Sequence, residues 1–87
     1  MSRPTYSDAH KIVERFAPVV LPLFADGWER FPTGQTADAI IYELTVQQGY
    51  WERAQQHAID RGADATGARE NAQLIASAIA EIARRRD

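Results

Sequence analysis

Residues 36–61 carry the pattern that most constrains how this chain can fold. When they are placed on a helix at about 100° per residue, their apolar side chains form one stripe about 100° wide, which is typical of an amphipathic helix. The stripe consists of Ala37, Ile40, Ile41, Leu44, Trp51, Ala58 and Ile59. Gly49 lies within this segment at a cost of about 1 kcal/mol relative to alanine, but the stripe keeps its phase across it. The pattern therefore predicts one continuous central helix.

The opposite side of this helix is less polar than a solvated helix face usually is. Five of its side chains follow one another at helical spacing and form a continuous ridge: Tyr42, Val46, Tyr50, Arg53 and His57. Tyrosine and arginine are enriched at binding hot spots because they combine a large contact area with hydrogen bonding. We expect the ridge to be a protein interface. The alternative is that the first helix or the 26–35 connector covers it, which would make it a second strip of core.

A helix is also predicted before the central one, over about residues 5–25. Its apolar stripe continues past Pro18 and Pro22, which both project from the opposite side. Proline on the outer side of a helix can bend it around the core, so we favour one helix kinked at both prolines. A true break between Ala17 and Pro18 is the alternative. The members of this stripe are Ala9, Ile12, Val13, Phe16, Val20, Leu23 and Phe24.

The last helix is predicted over about residues 66–86. Its apolar side holds Ala68, Ala72, Ile75, Ile79, Ile82 and Ala83. Thr36 is expected to cap the central helix, and Gly62 to end it in the left-handed conformation. Asp64 or Thr66 then caps the last helix. Three helices with short connectors predict an all-α fold, a small antiparallel three-helix bundle that occupies residues 1–87 as a single domain.

Composition excludes several classes of protein and favours others. With 45% hydrophobic and 25% charged residues, the chain resembles a globular domain. A net charge of −2 offers no general attraction to nucleic acid or to a membrane surface. The chain has no cysteine and no run of the ~20 apolar residues that a membrane span needs. We expect a cytoplasmic protein without a membrane partner. Abundant arginine and alanine, beside Lys11 as the single lysine, are typical of bacterial or phage genes of high GC content.

Motifs that carry chemistry are not apparent. His10 and His57 have no partner ligand at a useful metal-binding spacing, although His10 and Glu14 are four residues apart. No nucleophile motif and no phosphate-binding glycine loop occurs. We therefore predict no catalytic residue, no cofactor and no metal, and expect that the protein is not an enzyme.

The functional prediction is a non-enzymatic interaction module, such as an adaptor, an accessory subunit or a small inhibitor. It would dock through the ridge on another protein or on a second copy of itself. The alternative is a small DNA-binding regulator, because residues 58–68 faintly resemble a helix-turn-helix. Gln48 and Gln55 point into the central apolar stripe. Either they find hydrogen-bond partners within the fold or lie at its wet edge, or they set helix register and oligomeric state.

Overall fold

The structure is a computed structural model and describes residues 8–24 and 34–85. It contains three α-helices within these ranges, α1 (Asp8–Phe16), α2 (Gly34–Asp60) and α3 (Thr66–Arg85), and a 3₁₀ helix at Pro18–Leu23. No strand occurs in the described part of the chain, which confirms the predicted all-α bundle. The connector at 26–33 and the first residues of the predicted first helix lie outside the described ranges.

The predicted single helix kinked at its prolines is wrong, and the alternative break is the observed arrangement. Ala17 leaves the helical region at φ −142° and ψ 54°. Pro18 causes this, because its ring clashes with a helical conformation of the preceding residue and it has no amide to donate. Pro22 lies inside the tighter 3₁₀ turn that follows. The segment therefore consists of a short α-helix and a separate 3₁₀ helix.

The central helix is continuous through Gly49, as predicted. It begins at Gly34, where φ is 57°, so Thr36 lies within its first turn and the predicted cap is wrong. Gly34 adopts this left-handed conformation readily because it has no Cβ.

The end of α2 follows the prediction closely. Gly62 adopts φ 73°, a conformation that costs a side-chain-bearing residue roughly 1–2 kcal/mol. The amide of Ala63 donates to the carbonyl of Ala58 at 2.8 Å, and that of Gly62 donates to Ile59 at 3.0 Å. These two bonds are the Schellman pattern that satisfies the last carbonyls of a helix. They turn the chain so that α3 can return along α2.

The start of α3 is held by an acidic side chain. The carboxylate of Asp64 accepts a hydrogen bond from the amide of Thr66 at 2.9 Å. The side chain and the amide of Thr66 both lower the pKa of Asp64, because they stabilise its charged form; Arg69 adds a smaller effect in the same direction. This confirms Asp64 as the capping side chain of the two that were predicted.

The three helices enclose one apolar cluster. Its largest fully buried side chains are Val13, Ile40, Leu44, Ile75 and Ile82. The helix α3 packs antiparallel along α2, since the connector between them has only five residues and their packing is extensive. The helix α1 packs mainly against α3 and also touches α2. The amide of Ala9 donates to Oε1 of Glu81 at 2.9 Å, so a side chain of α3 accepts a hydrogen bond from the first turn of α1, where amides have no partner within the helix itself.

Several core predictions need correction. Leu23 is 40% exposed and Ile59 is 49% exposed, and Ala83 is also exposed. Leu23 lies in the 3₁₀ helix, where about three residues make a turn, so a stripe phased at 3.6 residues per turn misplaces it. Ile59 lies in the last turn of α2, beyond the buried cluster, whereas Ala83 lies about 100° around α3 from the buried Ile82. Ala78, which no predicted stripe included, is buried.

None of the helices in the described ranges is both long enough and apolar enough to cross a lipid bilayer.

Candidate functional site

The five ridge residues lie on the outer face of α2, and they are exposed. We call them the outer ridge: Tyr42, Val46, Tyr50, Arg53 and His57. The exposed fractions are 71% for Tyr42, 47% for Val46 and 56% for Tyr50. Arg53 and His57 are exposed as well. The helix α1 and the 3₁₀ helix therefore do not cover this face, whereas residues 26–33, the other cover that was predicted, lie outside the described ranges.

The outer ridge is joined to the core at Tyr50. The Tyr50 ring meets the half-buried Trp51 ring edge to face, with centroids 5.2 Å apart. Trp51 in turn meets the Phe16 ring edge to face at 6.2 Å. The Arg15 guanidinium lies 4.7 Å from the centroid of that ring, within the range of a cation–π contact. Tyr50 thus projects from a supported aromatic row, which limits the rotamer freedom that binding would have to remove.

Trp51 and Phe16 are the residues whose part in this surface the sequence interpretation missed. Both belong to apolar stripes and were assigned to the core, but both are only half-buried. A large ring at the margin of a stripe commonly keeps one edge at the surface. The signal available in the sequence was the direct succession of Tyr50 and Trp51, which places an outward and an inward aromatic ring side by side.

A second surface lies between α1 and α3. It is an open groove of about 380 Å³, lined by Asp8, Lys11, Ile12, Arg15, Phe16, Leu74 and Ser77. Leu74 is 40% exposed, and the two basic side chains stand four residues apart on α1. The sequence interpretation did not identify this groove, because its walls come from two helices that are distant in the chain.

Gln48 and Gln55 lie at a wet edge, which is one of the places predicted for them. Both are half-buried and line a groove of about 300 Å³ between α2 and α3, together with Glu52, Arg69, Ala72, Gln73 and Ala76. The amide of Gln48 donates to the Glu52 carboxylate over a long 3.4 Å. Their surroundings therefore provide water and polar neighbours, whereas a role in helix register stays a prediction.

The two histidines occupy very different environments. His10 is buried and packs against the Phe24 ring with centroids 5.0 Å apart. His57 is exposed at the C-terminal end of the outer ridge. Within the described ranges, no three histidine, cysteine, aspartate or glutamate side chains come together as metal ligands would.

Comparison with known proteins provides no relative for this chain. No protein-family model matches it, and no significant match is found among curated proteins or solved structures.

Proposed function

We propose that this protein is a non-enzymatic interaction module that docks on another protein, or on a second copy of itself, through the outer ridge of α2. An adaptor, an accessory subunit and a small inhibitor are all consistent with such a surface. The observation that carries the proposal is the exposure of Tyr42, Val46 and Tyr50 in succession on one face of the longest helix.

The exposed side chains of Tyr42, Val46 and Tyr50 keep apolar surface in contact with water. Burying the exposed apolar part of a large side chain contributes about 25 cal/mol per Å². At the outer ridge, the described part of the fold leaves this apolar surface exposed. Scattered apolar residues at a surface need no explanation, but a row of them is typical of an interaction site. Tyr50 is the best supported of these side chains, because its ring packs against the Trp51 ring.

The ends of the outer ridge suit the rim of an interface. Arg53 and His57 are exposed beyond the last tyrosine, where a polar border would surround the apolar centre. Polar and charged groups at the rim of an interface mainly affect the rate and the specificity of association. We therefore assign most of the binding free energy to Tyr42, Val46 and Tyr50.

The DNA-binding alternative is less favoured by the arrangement of the helices. In a helix-turn-helix the two helices cross at roughly 90–120°. Here α3 returns antiparallel along α2 after a five-residue connector. Salt-dependent binding to DNA is the measurement that would distinguish this alternative, which stays a prediction.

The test is the double substitution Tyr50→Ala with Val46→Glu. It should weaken association by about 30-fold or more, which corresponds to the ~2 kcal/mol of a hot-spot truncation. The melting temperature should be nearly unchanged, since both side chains are exposed. Val19→Glu is the matched control, because Val19 is 74% exposed on the 3₁₀ helix, outside the outer ridge. A collapse of the melting temperature in the double variant would show that the ridge stabilises the fold, and would refute the proposal.

A further inference from the structure

Three pairs of positions on the outer face of α2 complement each other across a point between residues 47 and 48. We propose that two copies pair through α2 in antiparallel orientation, with a two-fold axis between residues 47 and 48. This inference rests on the proposed function, since it names the occupant of the same face. In a two-fold interface each contact occurs twice, so a residue must lie opposite a residue that complements it.

The first pair of complementary positions is Tyr42 and Arg53. They are equally far from the point between residues 47 and 48, so each Tyr42 faces Arg53 of the second copy. A guanidinium over a tyrosine ring is a favourable contact, of the kind that Arg15 and Phe16 already make within the chain. The symmetry produces this contact twice.

The second pair is Val46 and Gly49, which are symmetric about the same point. Gly49 lies on the outer side of α2, next to the ridge. A Cβ placed on it would meet only the end of the Arg53 side chain, at an ordinary 3.5 Å. The fold of one copy therefore does not require glycine there, although glycine costs a helix about 1 kcal/mol relative to alanine. Glycine opposite Val46 of the second copy lets the two helices approach closely at their crossing point.

The charges decide the orientation. Arg53 and His57 lie in the C-terminal half of α2, and Asp38 is exposed in its N-terminal half. Asp38 and His57 are again symmetric about the point between residues 47 and 48, so antiparallel pairing places an acid opposite a base. Parallel pairing would instead place the positive charge of Arg53 against Arg53 of the second copy. Antiparallel pairing also aligns the two helix dipoles favourably.

The expected dimer is a weak one. The 27 residues of α2 extend over about 40 Å, and each copy contributes essentially one helix face. Such an interface falls at the small end of specific interfaces, below about 1,200 Å² in total. Dimerisation should therefore depend on protein concentration and reach half-saturation in the micromolar range.

The experiment uses the full chain, whose lack of cysteine makes single-cysteine variants unambiguous. In the proposed dimer the two residues 46 are about 4.5 Å apart along the helix axes, whereas the two residues 42 are about 16 Å apart. A short bismaleimide cross-linker should therefore join two Val46→Cys chains rapidly, and two Tyr42→Cys chains at least about tenfold more slowly. Leu74→Cys, on α3, is the control that should not cross-link. Sedimentation equilibrium of the unmodified chain measures the dimer directly.

Gly49→Ala supplies a second readout. It should raise the melting temperature of the monomer, because alanine favours helix, and weaken the dimer by about tenfold or more, because the added methyl group separates the helices. Equal cross-linking at positions 42 and 46 would indicate parallel pairing and overturn the inference. A chain that stays monomeric at all concentrations would also overturn it, but the proposed function would survive if the outer ridge still bound another protein. A dimer that the Tyr50→Ala, Val46→Glu variant leaves unchanged would refute the assignment of this dimer to the outer ridge.

Discussion

Replacing Leu44 by alanine tests whether the contact between α2 and α3 stabilises the bundle. Leu44 is completely buried within the central cluster. The substitution removes three carbon atoms, whose transfer from water contributes about 0.8 kcal/mol each, or about 2.4 kcal/mol together. An enclosed site collapses only partly, so the cavity term raises the expected loss to about 3–5 kcal/mol. For 87 residues, a total stability of about 4–13 kcal/mol is typical, so this loss would be severe.

Leu74→Ala is the matched control. The chemical change is the same and also lies within an α-helix, but Leu74 is 40% exposed at the margin of an open groove. About three-fifths of the Leu74 side chain is buried, and its truncation leaves no enclosed cavity. The expected loss of stability is therefore about 1.5 kcal/mol or less. Urea unfolding followed by far-UV circular dichroism measures both losses. Equal losses in the two variants, or a loss below about 1.5 kcal/mol for Leu44→Ala, would refute the assigned core.

Three further predictions concern the helix ends. Gly62→Ala should destabilise the fold by about 1–2 kcal/mol because φ is 73° there, whereas Gly67→Ala, inside α3, should stabilise it by about 0.5–1 kcal/mol; thermal melts that move in the same direction would contradict this. The pKa of Asp64 is lowered from 3.8 by side-chain and backbone hydrogen bonds from the first residue of α3. The ionised Asp64 side chain should therefore stabilise the fold fully above pH 3.8, and this stabilisation should be lost as pH falls through the lowered pKa. The difference in unfolding midpoint between wild type and Asp64→Asn should shrink between about pH 6 and pH 3. Glu81→Ala should lower stability by about 0.5–2 kcal/mol, because the amide of Ala9 loses this acceptor. Glu81→Gln should lower it less in the same denaturation assay, and an equal loss in the two variants would exclude the hydrogen bond as the cause.

The candidate site could be predicted largely because exposure on a helix follows from its periodicity. The residues opposite the apolar stripe of α2 were expected to face outward, and Tyr42, Val46 and Tyr50 do. What occupies this face is still a proposal. The half-buried position of Trp51 could not be predicted, because it depends on how far the neighbouring α1 extends over the ring.

Sequence patterns could not predict the α1–α3 groove or the buried position of His10. By helical periodicity His10 lies beside the apolar stripe of α1, not within it. It is enclosed because the chain folds back after the 3₁₀ helix and places the Phe24 ring against it. The groove needs Leu74 of α3 to stand near Ile12 and Phe16 of α1. Both features arise from contacts between segments that the chain order does not bring together.

The sequence by itself determined the helical class, the continuity of α2 through Gly49 and the Gly62 turn, because these depend on periodicity and on local backbone preferences. Pro18 also imposed the break after α1 through local sterics, although the shared side of Pro18 and Pro22 had favoured a bend. Only the tertiary structure decided which stripe members are covered, as Ile59 shows. Burial depends on where the neighbouring helices end, and a helical period carries no information about that.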